Sequence, residues 1–95
     1  MSANQGTIIY CVLSNIVWID GDSMKPTTMW TTVLNVDVMP IAYYPSYGLS
    51  TQGHFGDYGV NHMTVIMDVY GCIKISAASA ATSANGAFTI IYPIQ

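Results

Sequence analysis

Arginine and glutamate are absent from these 95 residues, and lysine occurs only at Lys25 and Lys74. Neutralising a phosphate backbone takes several bases in one patch, so the lack of arginine argues against a nucleic-acid partner. Charged residues of both signs make up 7% of the chain, where an ordinary soluble domain carries about 25%. With a formal net charge of −3, the surface is left to Ser, Thr, Asn, Tyr and apolar atoms, a covering that favours self-association. Long apolar runs are also missing. The longest, Ile8 to Leu13, is far short of the about 20 residues that a spanning helix needs, so no membrane insertion is expected. Met1 to Thr7 lacks the basic start and apolar stretch of a secretory signal, and no export address is read from it.

What is present is apolar. Hydrophobic residues account for 52% of the chain and the mean hydropathy is +0.40, which excludes a disordered polymer. A chain this short builds one core and buries roughly 60–65% of its unfolded surface, so residues 1–95 are read as a single domain, with 1–6 as a flexible extension. Cys11 and Cys72 each sit in a strand-like run that suits a small buried hydrophobe. Free buried thiols are therefore expected, with one disulfide as the alternative.

The pattern along the chain is all-β. Thr7 to Leu13 and Ile16 to Asp20 are rich in Ile, Val, Tyr and Trp, and Ser14-Asn15 between them suits a tight hairpin turn. Asp20, Gly21, Asp22 and Ser23, followed by Lys25-Pro26, read as a loop. Thr28 to Val33 reads as a strand and Asp37 to Ile41 as a short extended piece that Pro40 ends. From Tyr43 to Asn61, nineteen residues hold four tyrosines and four glycines, which predicts exposed loops with one short strand near His54 to Tyr58. Alternation then resumes, with Met63, Val65, Met67 and Val69 on the core face, and Gly71 turns the chain into Cys72 to Ser76. The small-residue run Ser76 to Ala84 reads as a weak strand or loop, or as a site of close subunit packing. Asn85-Gly86 is a type I′ hairpin signal leading into a last strand, Ala87 to Tyr92. No helical periodicity is found. The fold expected is a small antiparallel β-barrel or sandwich of six to eight strands, with Trp18 and Trp30 in its core or between subunits.

The order of these segments resembles the C-terminal head domain of siphophage receptor-binding proteins, the tail-fibre and baseplate tips used against Gram-positive hosts. Four stretches carry the likeness: Tyr10 to Gly21 (YCVLSNIVWIDG), Trp30 to Pro40 (WTTVLNVDVMP), Val65 to Ser76 (VIMDVYGCIKIS) and Gly86 to Ile94 (GAFTIIYPI). Tyr43 to His62 has no counterpart among them, and receptor contacts are expected to vary there. The resemblance implies a homotrimer of small β-barrels at the virion tail tip, assembled in the host cytoplasm and acting outside the cell on a host cell-wall saccharide. Flat aromatic faces for sugar C–H surfaces and short polar groups for hydroxyls are both available in Tyr43, Tyr44, Tyr47, His54, Phe55, Asp57, Tyr58 and Asn61. Two further readings suit the same residues: an assembly module of a virion fibre without a small ligand, and a fragment of a bacterial adhesin or lectin.

Neither metal nor catalysis is expected. His54, Asp57 and His62 match no standard zinc spacing, and no cofactor is read from the chain. Asp20 and Asp22 flank Gly21, where turn capping and solvation account for them. The sequence lacks a Gly-x-Ser-x-Gly elbow, and no apposed carboxylate pair of the glycosidase kind is evident.

Overall fold

The computed structural model describes residues 6–24, 30–36, 38–55, 62–77 and 86–94. Seven strands form one antiparallel sheet: β1 (Thr7–Leu13), β2 (Ile16–Met24), β3 (Thr31–Leu34), β4 (Leu49–Phe55), β5 (His62–Met67), β6 (Ile73–Ala77) and β7 (Gly86–Pro93). Their order in the sheet is β1-β2-β7-β4-β5-β6-β3, and the sheet curls into a half-barrel. The barrel-like all-β expectation holds, as one curled sheet and not as two stacked ones. Strands β4, β5 and β6 run as a meander with β3 returned beside β6, which is a Greek-key arrangement.

Alternation decides which side of each strand faces the core. In β7, Phe88, Ile90 and Tyr92 point inward while Ala87, Thr89, Ile91 and Pro93 point out. Val17 and Ile19 of β2, Met63, Val65 and Met67 of β5, and Ile73 and Ile75 of β6 join them on the inner face. Each such side chain contributes about 1.5–3 kcal/mol by leaving water. The expected core face of β5 is therefore correct through Met67, and Val69 lies beyond the strand at the surface.

Turn chemistry fixes two of the hairpins. Ser14 and Asn15 both take positive φ, 50° and 65°, and make the two-residue connection that sets Leu13 opposite Ile16. Between β5 and β6, the Gly71 N–H donates to the Asp68 carbonyl at 3.1 Å, and Gly71 adopts φ +82°. The Asp68 carboxylate accepts from the Tyr70 and Cys72 N–H groups at 2.8 and 3.1 Å.

Several local expectations are corrected. The segment from Asp20 to Ser23 is strand and not loop: β2 runs on to Met24 with a register shift between Gly21 and Met24. Its loop-like residues serve that bulge, with Ser23 at φ 59° and its N–H bonded to the Asp22 carboxylate at 2.8 Å. Asp37 lies outside the described residues, and the chain after it forms a short 3-10 turn at Ile41–Tyr43 instead of an extended piece. That turn is tied to the sheet by the Tyr92 hydroxyl, which donates to the Tyr43 carbonyl at 2.6 Å. The strand in the glycine-rich stretch begins earlier than expected, at Leu49, because Gly53 does not break it but lets β7 approach.

Asn85 and the seven residues before it lie outside the described residues, and the hairpin inferred from Asn85-Gly86 falls there; among the described strands β7 pairs with β2 and β4. Most of the run Ser76 to Ala84 and of the 1–6 extension also falls outside the described residues. Trp18 and Trp30 are not core residues: each is 47% exposed. Both cysteines are free, but only Cys72 is buried and Cys11 is exposed. Burial pushes the Cys72 thiol up, as does the nearby Asp68 charge, while Lys74 opposes them.

Candidate functional site

The outer face of the sheet is graded from apolar to polar along the strands. Register places Leu13, Ile16 and Pro93 in one row across β1, β2 and β7, then Cys11, Trp18 and Ile91, then Ile9, Asp20 and Thr89. Rows follow one another at about 7 Å, two residues of strand rise. At the polar end the Thr89 hydroxyl donates to the Asp20 carboxylate at 2.8 Å, and Thr7 stands opposite Asp22.

Beside these rows lies an open groove of about 700 Å³ lined by Thr7, Ile9, Asp20, Asp22, Gln52, His54, Ala87 and Thr89, with Gly21 and Phe88 also contributing. It is open for a simple reason. The outward side chains of β7 here are only Ala87 and Thr89, whereas larger groups stand on β1 and β2 to one side and on β4 to the other. Asp20 and Asp22 accept hydrogen bonds, Gln52 and Thr89 both donate and accept, and Trp18 presents a half-exposed ring one row away on the strand that carries Asp20. Chemically, such a set offers acceptors and donors suited to hydroxyl groups, with an aromatic ring nearby suited to C–H surfaces.

Next to the groove the sheet splays. Strands β4 and β7 are paired only at His54 with Ala87 and Phe55 with Gly86. Above that seam a second cavity of about 260 Å³ opens between Leu49, Ser50 and Thr51 on one side and Thr89, Ile90 and Ile91 on the other.

Of the residues expected to bind whose side chains the structure describes, His54 alone lines the groove. Its ring meets that of His62 across β4 and β5, with the Nδ1 atoms 3.1 Å apart. Tyr43 and Tyr44 are half-buried against the core, and the ring of Tyr43 lies 5.8 Å from that of Tyr10; both tyrosines are packing residues away from the groove. Tyr47 is exposed beside Pro45, Tyr92 and Pro93, at a different place on the surface. Phe55 ends β4 opposite Gly86. Asp57, Tyr58 and Asn61 lie outside the described residues.

Sequence reasoning missed Asp20, Asp22, Gln52 and Thr89. The signal for two of them was present: Trp18, Asp20 and Asp22 recur at the two-residue period of a strand, which sets all three on one face once β2 is allowed to pass through Gly21. Among the described residues no group of three or more His, Cys, Asp or Glu side chains is placed to hold a metal ion, and no helix is long and apolar enough to cross a membrane. Comparison of the chain with protein-family models, with curated proteins and with solved structures found no match.

Proposed function

We propose that the protein is the saccharide-binding head of a phage receptor-binding assembly, acting without catalysis as a homotrimer at the virion tail tip on host cell-wall sugar. The observation that supports this reading is the outer groove, where Asp20, Asp22, Gln52, His54 and Thr89 offer hydrogen-bonding groups next to the exposed ring of Trp18. A surface with few charges, whose groove carries two carboxylates and, among the described residues, no lysine or arginine, selects a neutral sugar by shape and hydrogen bonds and not by long-range attraction. Single sites of this kind bind weakly, and three sites engaging one wall raise the overall strength by about 10²–10⁴. Asp57, Tyr58 and Asn61, which follow His54 in the sequence, belong to the same proposed contact set.

The test is a pull-down on purified Gram-positive cell walls with Asp20→Asn, Gln52→Ala and His54→Ala. Each is expected to weaken binding while leaving Tm within a degree or two of the unmodified protein, because all three side chains are exposed. Wild-type binding by all three variants refutes the groove as the site.

A second reading is favoured by a separate observation. Leu13, 75% exposed, continues with Ile16, Trp18 and Ile91 into an apolar strip on the outer face, as an assembly module that clamps its neighbours would require. Light scattering separates the two when combined with the wall assay. A particle of three times 10.3 kDa that ignores cell walls favours assembly, and one that binds them favours the receptor-binding head.

A further inference from the structure

We propose that His54 and His62 form a two-histidine chelate for a divalent transition-metal ion of the zinc and nickel class. The two residues are direct cross-strand partners in β4 and β5, and both stand on the outer face. Their Nδ1 atoms face each other at 3.1 Å, with ring centroids 5.0 Å apart and planes inclined at 69°. An ion at the usual zinc–imidazole distance of about 2.0–2.1 Å from each nitrogen would subtend an N–metal–N angle of about 95–102° across that gap. This lies between the about 90° of square or octahedral sites and the about 109° of a tetrahedral one, and each ring turns by roughly 40° from the hydrogen-bonding line to aim its Nδ1 at the ion, a movement open to exposed side chains.

Without metal, one Nδ1–H donates to the other Nδ1. With metal, the donating ring carries its proton on Nε2 instead, both Nδ1 lone pairs face the ion, and no proton is lost from a neutral pair. The backbone under the pair is fixed because His54 is paired on both sides, to His62 and to Ala87, and the hydrogen bond brings the two Nδ1 atoms together. Imidazole donors select zinc, nickel and copper over calcium and magnesium, which take oxygen ligands. The nearest groove carboxylate across the sheet, Asp22, is separated from His54 by the whole of β7 at Ala87. Among the described residues no further carboxylate, thiol or imidazole joins the pair, and positions not taken by the two rings go to water or to an oxygen of a bound molecule. The site stands independently of the saccharide reading and shares only His54 with it.

Calorimetric titration of the full chain with Zn²⁺, repeated with Ni²⁺ while the imidazole resonances are followed by NMR, tests the proposal. One ion per chain is expected, with the His54 and His62 rings perturbed together. His54→Ala and His62→Ala should each weaken binding by more than about tenfold, while Asp20→Asn and Cys11→Ser keep it. Because both histidines are exposed, the variants are expected to fold, which an unchanged metal-free Tm verifies. Absence of binding by the wild-type chain, or wild-type affinity in His62→Ala, overturns the proposal. Loss of binding only in Cys11→Ser overturns it equally, by placing the ion on the exposed thiol.

Discussion

Gly21 is the point where the strand and the groove meet, and its replacement by alanine has a calculable effect. Gly21 pairs with Phe88 across β2 and β7, and the Phe88 ring lies over the glycine. A Cβ built on Gly21 would stand 2.3, 2.4 and 2.8 Å from the Cε2, Cζ and Cδ2 atoms of that ring, against about 3.5–4.0 Å for carbon atoms in contact. The ring therefore has to retreat by more than about 1 Å, and at 4% exposure it is enclosed by the core. Overpacking of this kind costs about 1–3 kcal/mol. The reduced freedom of an unfolded alanine returns about 0.4–1 kcal/mol, which leaves a net loss of about 1–2 kcal/mol. Urea unfolding at fixed protein concentration should show a lower midpoint with an unchanged slope. A double-mutant cycle with Phe88→Leu makes the cause specific. The smaller side chain makes room for the methyl group, so Gly21→Ala should cost little in that background, with a coupling of about 1 kcal/mol or more. A neutral Gly21→Ala, or strict additivity with Phe88→Leu, refutes the reasoning.

Three further outcomes are expected. Burial pushes the Tyr92 hydroxyl up to about 12 from 10, so above pH 10 the unfolded chain releases its proton first and stability falls, by roughly 2–3 kcal/mol at most once the pH passes 12. Tyr92→Phe should cost about 1 kcal/mol at pH 7, through the lost bond to the Tyr43 carbonyl, and should flatten that alkaline decline; parallel stability curves for the two proteins from pH 8 to 11 would contradict it. Gly53→Ala sets a Cβ 2.6 Å from the Ala87 carbonyl oxygen and 2.7 Å from Met63 Cγ. Since a backbone atom is involved, a loss of about 2–3 kcal/mol is expected in thermal unfolding, and an unchanged Tm would show that β4 moves freely at this point. Asp68→Ala removes the carboxylate that accepts two backbone N–H groups in the β5–β6 turn and should cost about 1–2 kcal/mol, while Asp68→Asn, which keeps one acceptor oxygen, should cost less than half of that.

The hairpin at Ser14-Asn15, the core face of β5 and the outline of β7 were legible in the sequence because each rests on local chemistry: a turn that needs positive φ, or side chains alternating at period two. What failed was non-local. Gly21 and Gly53 read as strand breakers, yet each marks a place where another strand comes close, Phe88 over the one and the Ala87 carbonyl beside the other. Nothing within a few residues of either glycine announces that neighbour. The partners of β7 were not legible for the same reason, since the hairpin chemistry of Asn85-Gly86 says nothing about β2 or β4. At the site, His54 was placed correctly among exposed residues, while the wall opposite it comes from β2, more than thirty residues earlier in the chain. Tyr43 and Tyr44 have the composition of a sugar platform, but they lie where the 3-10 turn packs them onto the core.

The seam between β4 and β7 bears on how the molecule comes apart. With two residue pairs joining the strands there, the sheet consists of two panels, β1-β2-β7 and β4-β5-β6-β3, stitched internally by ladders of three to seven pairs. Parting the panels sacrifices few ladder bonds and leaves the hairpins within each panel whole, at the cost of exposing the core that they share, and the seam is the expected line of first opening. Amide exchange should divide the chain along that line, with the β7 amides facing β4 exchanging through a low-energy opening and those facing β2 only on loss of the panel. A pulling force applied across the sheet would likewise separate the panels first. The groove floor straddles the same line, with Ala87 on one panel and His54 on the other, so a molecule bridging them would act as a clasp and raise the force and the temperature at which the protein yields.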